Sequence, residues 1–128
     1  MAKKAGYVDG FVLVVPKKNK SAYIKMAKEG KKMWMKCGAL DYKECIGDDL
    51  KAKAMGSEKP LSFIKMTKTK PTEEVWFSFV TYKSKKHRDE VNAMVMKEMD
   101  KQMEKYKDFK MPFETKKMSY GGFEVLVG

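Results

Sequence analysis

The hydrophobic pattern of the chain is clearest between Val75 and Met99. In Val75–Tyr82 one side of the pleat carries Val75, Phe77, Phe79 and Thr81, and the other Trp76, Ser78, Val80 and Tyr82, so apolar bulk lies on both faces. Such a strand needs cover on both sides. Ser84 then stands where an N-cap belongs, and His87, Val91, Met94 or Val95, and Met99 recur at three- and four-residue spacing, the inner stripe of an amphipathic helix.

The same two-part pattern opens the chain. Tyr7–Val15 is apolar on both faces of its alternation, and Pro16 ends it. Asn19 is placed to cap a helix running to about Cys37, with Tyr23, Met26 or Ala27, Gly30, Trp34 and Cys37 on its inner side and Lys25, Lys28, Lys32 and Lys36 on its wet side. Gly38 suits the left-handed residue that closes such a helix, and Leu40–Ile46 reads as a third strand near a sheet edge. Gly47–Pro60 has loop chemistry with at most a short helix around Lys51–Met55, Ser62–Thr67 reads as a short extra strand, and Lys70-Pro71-Thr72 makes a turn. The second long helix is expected to continue through Met103 and Tyr106 until Pro112 breaks it, before a last strand at Met118–Val127.

Strand, helix, strand, strand, helix, strand is the α+β, ferredoxin-like order: one domain over residues 1–128, an antiparallel sheet, and two helices on one face. Right-handed crossovers put both helices on the same side, which leaves the other side of the sheet bare. An apolar face of that size marks an interface, and the expectation is a homodimer joined sheet to sheet. The competing expectation is that Gly47–Pro60 or the Lys107–Lys117 tail folds over that face.

Composition changes this picture little. With 128 residues, 43% of them hydrophobic, and no apolar run of membrane-spanning length, the chain reads as a soluble globular domain without membrane partners. The opening MAKKAGYVDG lacks the apolar stretch and cleavage site of a secretory signal, so the cytoplasm is the expected compartment. Cys37 and Cys45 do not form a C-x-x-C pair and are expected as reduced thiols. The net charge of +11 would attract a polyanion, but the excess is lysine spread along the chain with a single arginine, Arg88. Spread lysine fits a solubilising surface better than a nucleic-acid reader, which draws on arginine forks.

Candidate chemistry is sparse. His87, the sole histidine, lies on or beside the inner helix face, where an imidazole can act as general base, although a histidine so placed is commonly satisfied by a nearby backbone group. Asp9, Glu44 and Glu124 fall on strands beside Tyr7, Phe11, Tyr42, Tyr120 and Phe123; carboxylates gathered on one poorly hydrated face would raise one another's pKa. Otherwise they are solvated at strand ends or paired with lysines. Tyr23, Trp34, Trp76 and the methionines Met26, Met33, Met94 and Met99 are candidates to line an apolar pocket between helices and sheet, or simply to fill the core. No metal-ligand cluster, nucleophile motif or phosphate loop is present, and no cofactor is expected.

Four stretches together resemble a known family: YVDGFVLVVP, GALDYKECIGDD, FSFVTYKSKKHRDEVNAMVM and MPFETKKMSYGGFEVLV. They are similar to the YbaA-like proteins, a bacterial family of unknown function in the dimeric alpha-beta barrel superfamily. The resemblance implies a ferredoxin-like subunit that dimerises through its sheet, and it implies no particular reaction, because that superfamily spans cofactor-free monooxygenases, haem-degrading and isomerising enzymes, and ligand-sensing domains. The high lysine and methionine content departs from what the family leads one to expect. The functional expectation is a small apolar or aromatic ligand held between sheet and helices, with cofactor-free oxygenase or isomerase-like chemistry through His87. The alternative is a non-catalytic basic protein that holds RNA or another polyanion.

Overall fold

A computed structural model describes residues 4–128. Strand β1 (Tyr7–Pro16) passes through a single 3-10 turn into helix α1 (Lys20–Lys36), followed by strand β2 (Asp41–Ile46). A short helix α2 (Phe63–Thr67) precedes strand β3 (Glu73–Tyr82), helix α3 (Lys85–Lys101) and strand β4 (Met118–Glu124). The four strands form one sheet in the order β2-β3-β1-β4, antiparallel at every pairing. The two doubly apolar strands, β1 and β3, are its centre, and β2 is an edge, as its thinner pattern predicts.

Both long helices cover the sheet face that carries Leu13, Val15, Trp76, Val80 and Tyr82. Tyr23 and Ala27 of α1 pack there beside Leu13 and Trp76, while Val91 and Val95 of α3 pack beside Val80 and Tyr82. Ser84 caps α3 as its sequence position predicts: its Oγ accepts the His87 amide at 3.1 Å. Gly38 follows α1 with φ +110°, the left-handed geometry that glycine adopts without Cβ strain.

Several local expectations are corrected. Residues 63–67 form a helix, not a strand, because Ser62 Oγ accepts the Lys65 amide and Lys68 closes the turn at φ 54°. No helix forms around Lys51–Met55; Met55 instead makes an isolated bridge with Glu58. Asn19 makes no capping bond to α1, and its Nδ2 donates to the Pro112 carbonyl at 3.0 Å. Helix α3 stops at Lys101, and residues 102–108 continue as turns, short of the Pro112 break. The last strand ends at Glu124; Val125 donates one further bond to Gly6, and Val127 is exposed.

The other sheet face is covered at one end only. Val14 and Val75 are buried there, beside a depression lined by Leu50 of the loop and Phe63 of α2. Phe77, at the rim of that depression, and Phe123 remain 45% and 62% exposed. The tail does not reach this face: Pro112 and Phe113 are buried on the helix side, where the Phe113 ring meets Tyr23 edge-on at 5.9 Å.

Candidate functional site

Packing two helices on a four-stranded sheet leaves a gap wherever their spacing exceeds what the side chains fill, and here the gap is large. A half-open cleft of about 900 Å³ lies between the sheet, α1, the end of α3 and the chain after it. That volume suits a small organic molecule. Its floor is the sheet: Phe11 and Leu13 of β1, Ser78 and Val80 of β3, and Tyr42 and Glu44 of β2. Methionines 26, 33, 99 and 103 and Trp34 form walls, and Tyr106, Phe109, Met111 and Phe113 close it from the tail.

Glu44 is the carboxylate in that floor, and alternation on β2 turns it inward with Tyr42. Tyr23 of α1 donates its hydroxyl to Glu44 Oε2 at 2.7 Å, and Tyr42 donates to Oε1 at 3.0 Å. Gly30 makes this arrangement fit, since a Cβ there would stand 2.9 Å from the Tyr42 hydroxyl. Burial raises the Glu44 carboxyl above its ordinary value, and the two phenol donors oppose that rise without cancelling it. Burial first, and the Glu44 charge with it, also lifts both phenols far above their usual range, so they stay protonated as donors. A carboxyl so placed can bind, accept or return a proton at a ligand's polar end.

Beside Glu44, one strand over and directly paired with it, Ser78 is only 5% exposed and also faces the cleft. Among the described residues its hydroxyl has no hydrogen-bond partner.

The three acids do not gather. Register puts Asp9, Glu44 and Glu124 on the helix side of the sheet, but β2 is two strands from β1 and three from β4, and only Glu44 lines the cleft. Asp9 is 5% exposed and bound to Arg88 Nη1 at 2.7 Å, with the guanidinium 5.0 Å from the Tyr7 ring centre. Glu124 is exposed at the end of edge strand β4. Nearby, Tyr82 and Trp34 both donate to Asn92 Oδ1, at 3.4 and 3.2 Å, tying α1, β3 and α3 together. Burial, and after it the Asp9 carboxylate, raises the Tyr82 phenol.

His87 lies outside the cleft lining. Its Nδ1 accepts the Lys83 amide at 3.0 Å and its ring meets Tyr82 edge-on at 6.0 Å, so it serves the start of α3. Trp76 is buried core against Tyr23, ring centres 4.7 Å apart, and Met94 is 52% exposed. Tyr23, Trp34 and Glu44 do line the cleft, as do Met26, Met33 and Met99. Sequence reasoning did not assign Ser78, Met103 or the tail aromatics to the cleft; the alternation of Phe109, Met111 and Phe113 in an apparent linker is the signal that could have pointed to the tail. No group of three or more His, Cys, Asp or Glu among the described residues is placed to hold a metal ion. Cys37 is buried beneath the helices and Cys45 exposed on the opposite sheet face.

Fold and cleft together define a mixed α/β protein with an open four-stranded antiparallel sheet and a half-open cleft that has Glu44 in its floor. The family described as "Protein of unknown function (DUF1428)" matches residues 6–115, and the chain belongs to that family. It is similar to the uncharacterized protein YbaA of Escherichia coli strain K12, with 38% identity over 121 residues covering 94% of this chain and 97% of the relative. The uncharacterized protein YbaA of Shigella flexneri matches to the same extent. No helix among the described residues is long and apolar enough to cross a membrane.

Proposed function

We propose that this protein binds a small, largely apolar or aromatic molecule in the cleft between sheet and helices, and that Glu44, in place of His87, is the group that meets its polar end. The observation carrying this reading is a carboxyl in the floor, held by two tyrosine hydroxyls, in a cleft of about 900 Å³ walled mainly by methionine and aromatic side chains, with the other charged side chains of its lining on α1, the end of α3 and the chain after it. Binding is the core of the reading, and proton exchange at Glu44 is the chemistry the site is equipped for. The subunit is read as ferredoxin-like and as half of a homodimer. Support for that comes from the antiparallel order β2-β3-β1-β4 and from the exposed Phe77 and Phe123 on the helix-free face.

Native mass spectrometry of the purified protein, with a parallel titration of the neutral dye N-phenylnaphthylamine, tests the binding reading. Saturable dye uptake that Trp34→Ala and Met33→Asp weaken at least tenfold is expected. A protein that carries no added mass and takes up no dye would sink it.

A further inference from the structure

We propose that the occupant of this cleft is a cation, an organic amine whose apolar or aromatic body lies along the methionine and aromatic walls and whose ammonium group sits against Glu44 and Ser78. This rests on the cleft being a ligand site and adds the charge and donor pattern of what it takes.

The floor offers acceptors. Both phenol protons beside Glu44 are committed to its carboxylate oxygens, so what Tyr23 and Tyr42 still present to a ligand is lone pairs. Glu44 itself accepts only, while ionised. Ser78, a residue only 5% exposed that pairs directly with Glu44 across the strands and lines the cleft, adds a hydroxyl with no hydrogen-bond partner among the described residues, whose lone pairs can accept from the same ligand. A group with several N–H donors and no acceptor satisfies all of these at once, and an ammonium is such a group.

Charge points the same way. The protein carries a formal +11, yet the residues lining the cleft include Glu29, Glu44, Asp100 and Glu104 against one base, Lys107. Lys107 faces Glu104 at 4.0 Å, which leaves Glu29 and Asp100 at the mouth and Glu44 in the floor without an ion-pair partner among the described residues. An excess of acids around one opening, on a surface otherwise rich in lysine, focuses a field that draws cations and repels carboxylates. The Trp34 and Tyr42 rings, 6.1 Å apart in the wall, add faces on which a cation is stabilised.

Three probes sharing one body and differing in head group decide the matter: naphthylethylamine, naphthylethanol and naphthylacetate, titrated at neutral pH. The amine is expected to bind at least tenfold more tightly than the alcohol, and the acetate more weakly than either. Glu44→Gln should abolish the amine's advantage while the alcohol keeps its affinity. Glu29→Gln/Asp100→Asn, both at exposed positions, should cut amine affinity severalfold and flatten its salt dependence even if the Glu44 variant does not fold. If the alcohol or acetate binds as well as the amine, the charge inference falls and the cleft reading stands. If none of the three binds, both fall.

Discussion

At the scale of single residues, two acids on the helix side of the sheet are held by different partners. Glu44 has its carboxyl raised by burial, so the folded state holds that proton more tightly than the unfolded chain does. Stability from this group is fully present below the ordinary glutamate value of 4.5 and is lost as pH rises through the higher folded value. Glu44→Gln should therefore gain on the wild type as pH is raised from 4.5 through the higher folded value and hold that gain above it, and thermal unfolding across that interval checks it; a difference constant throughout would contradict the burial argument. Asp9 is instead held by Arg88 across β1 and α3. Arg88→Met strands that carboxylate in the core, at a cost of about 3 kcal/mol, whereas Asp9→Val/Arg88→Met should lose less because no unpaired charge remains. Denaturant unfolding of both variants makes the comparison, and a double variant weaker than the single one would count against it.

At the scale of elements, the backbone after α1 sets a sharper test. Gly38 has φ +110°, so Gly38→Ala forces a side chain into left-handed geometry and should cost about 1–2 kcal/mol. Gly30 is different: alanine there favours the helix by about 1 kcal/mol but pushes on the Tyr42 hydroxyl, so Gly30→Ala should leave stability nearly level while weakening cleft binding. Calorimetry beside dye titration separates the two effects. The elements themselves were legible where pattern and length agree. Tyr7–Val15 and Val75–Tyr82 alternate over eight or more residues, and Ser84 and Gly38 carry their own cap chemistry, so each appears within a residue or two of its expected place. Five residues at α2 were misjudged because Ile64–Thr67 alternates as a strand does, while the decisive bond, from the Lys65 amide to Ser62 Oγ, is a local contact that periodicity does not register. The cleft was half legible. Tyr23, Trp34 and Glu44 announce themselves by alternation and helical spacing, but the closing wall comes from residues 102–113, whose position depends on where the chain lies after α3 ends. His87 misled for the opposite reason: its chemistry stood out, and its place at the first turn of α3 turned that chemistry toward the Lys83 amide.

At the scale of the whole molecule, the sheet separates two surfaces of different character. One face carries the helices and the cleft; the other presents Phe77 and Phe79, their rings 5.8 Å apart on a central strand, and, across β1, Phe123 of β4, whose ring lies over Gly10. A monomer with +11 charge gains nothing from exposing such a patch, and pairing two copies there buries it on both at once. Sedimentation at micromolar concentration should therefore give a dimer, with a melting temperature that rises as the protein is concentrated. Phe77→Lys puts a charge into the apolar patch of each copy and should yield a monomer whose melting temperature no longer depends on concentration. Because residue 77 is already 45% exposed and points away from the cleft, the same variant should keep its affinity for naphthylethylamine within about twofold of the wild type. A wild type that sediments as a monomer would remove the dimer. A Phe77→Lys monomer that no longer binds would instead show that the cleft needs the second copy, and that the sheet does not insulate the two faces as its packing implies.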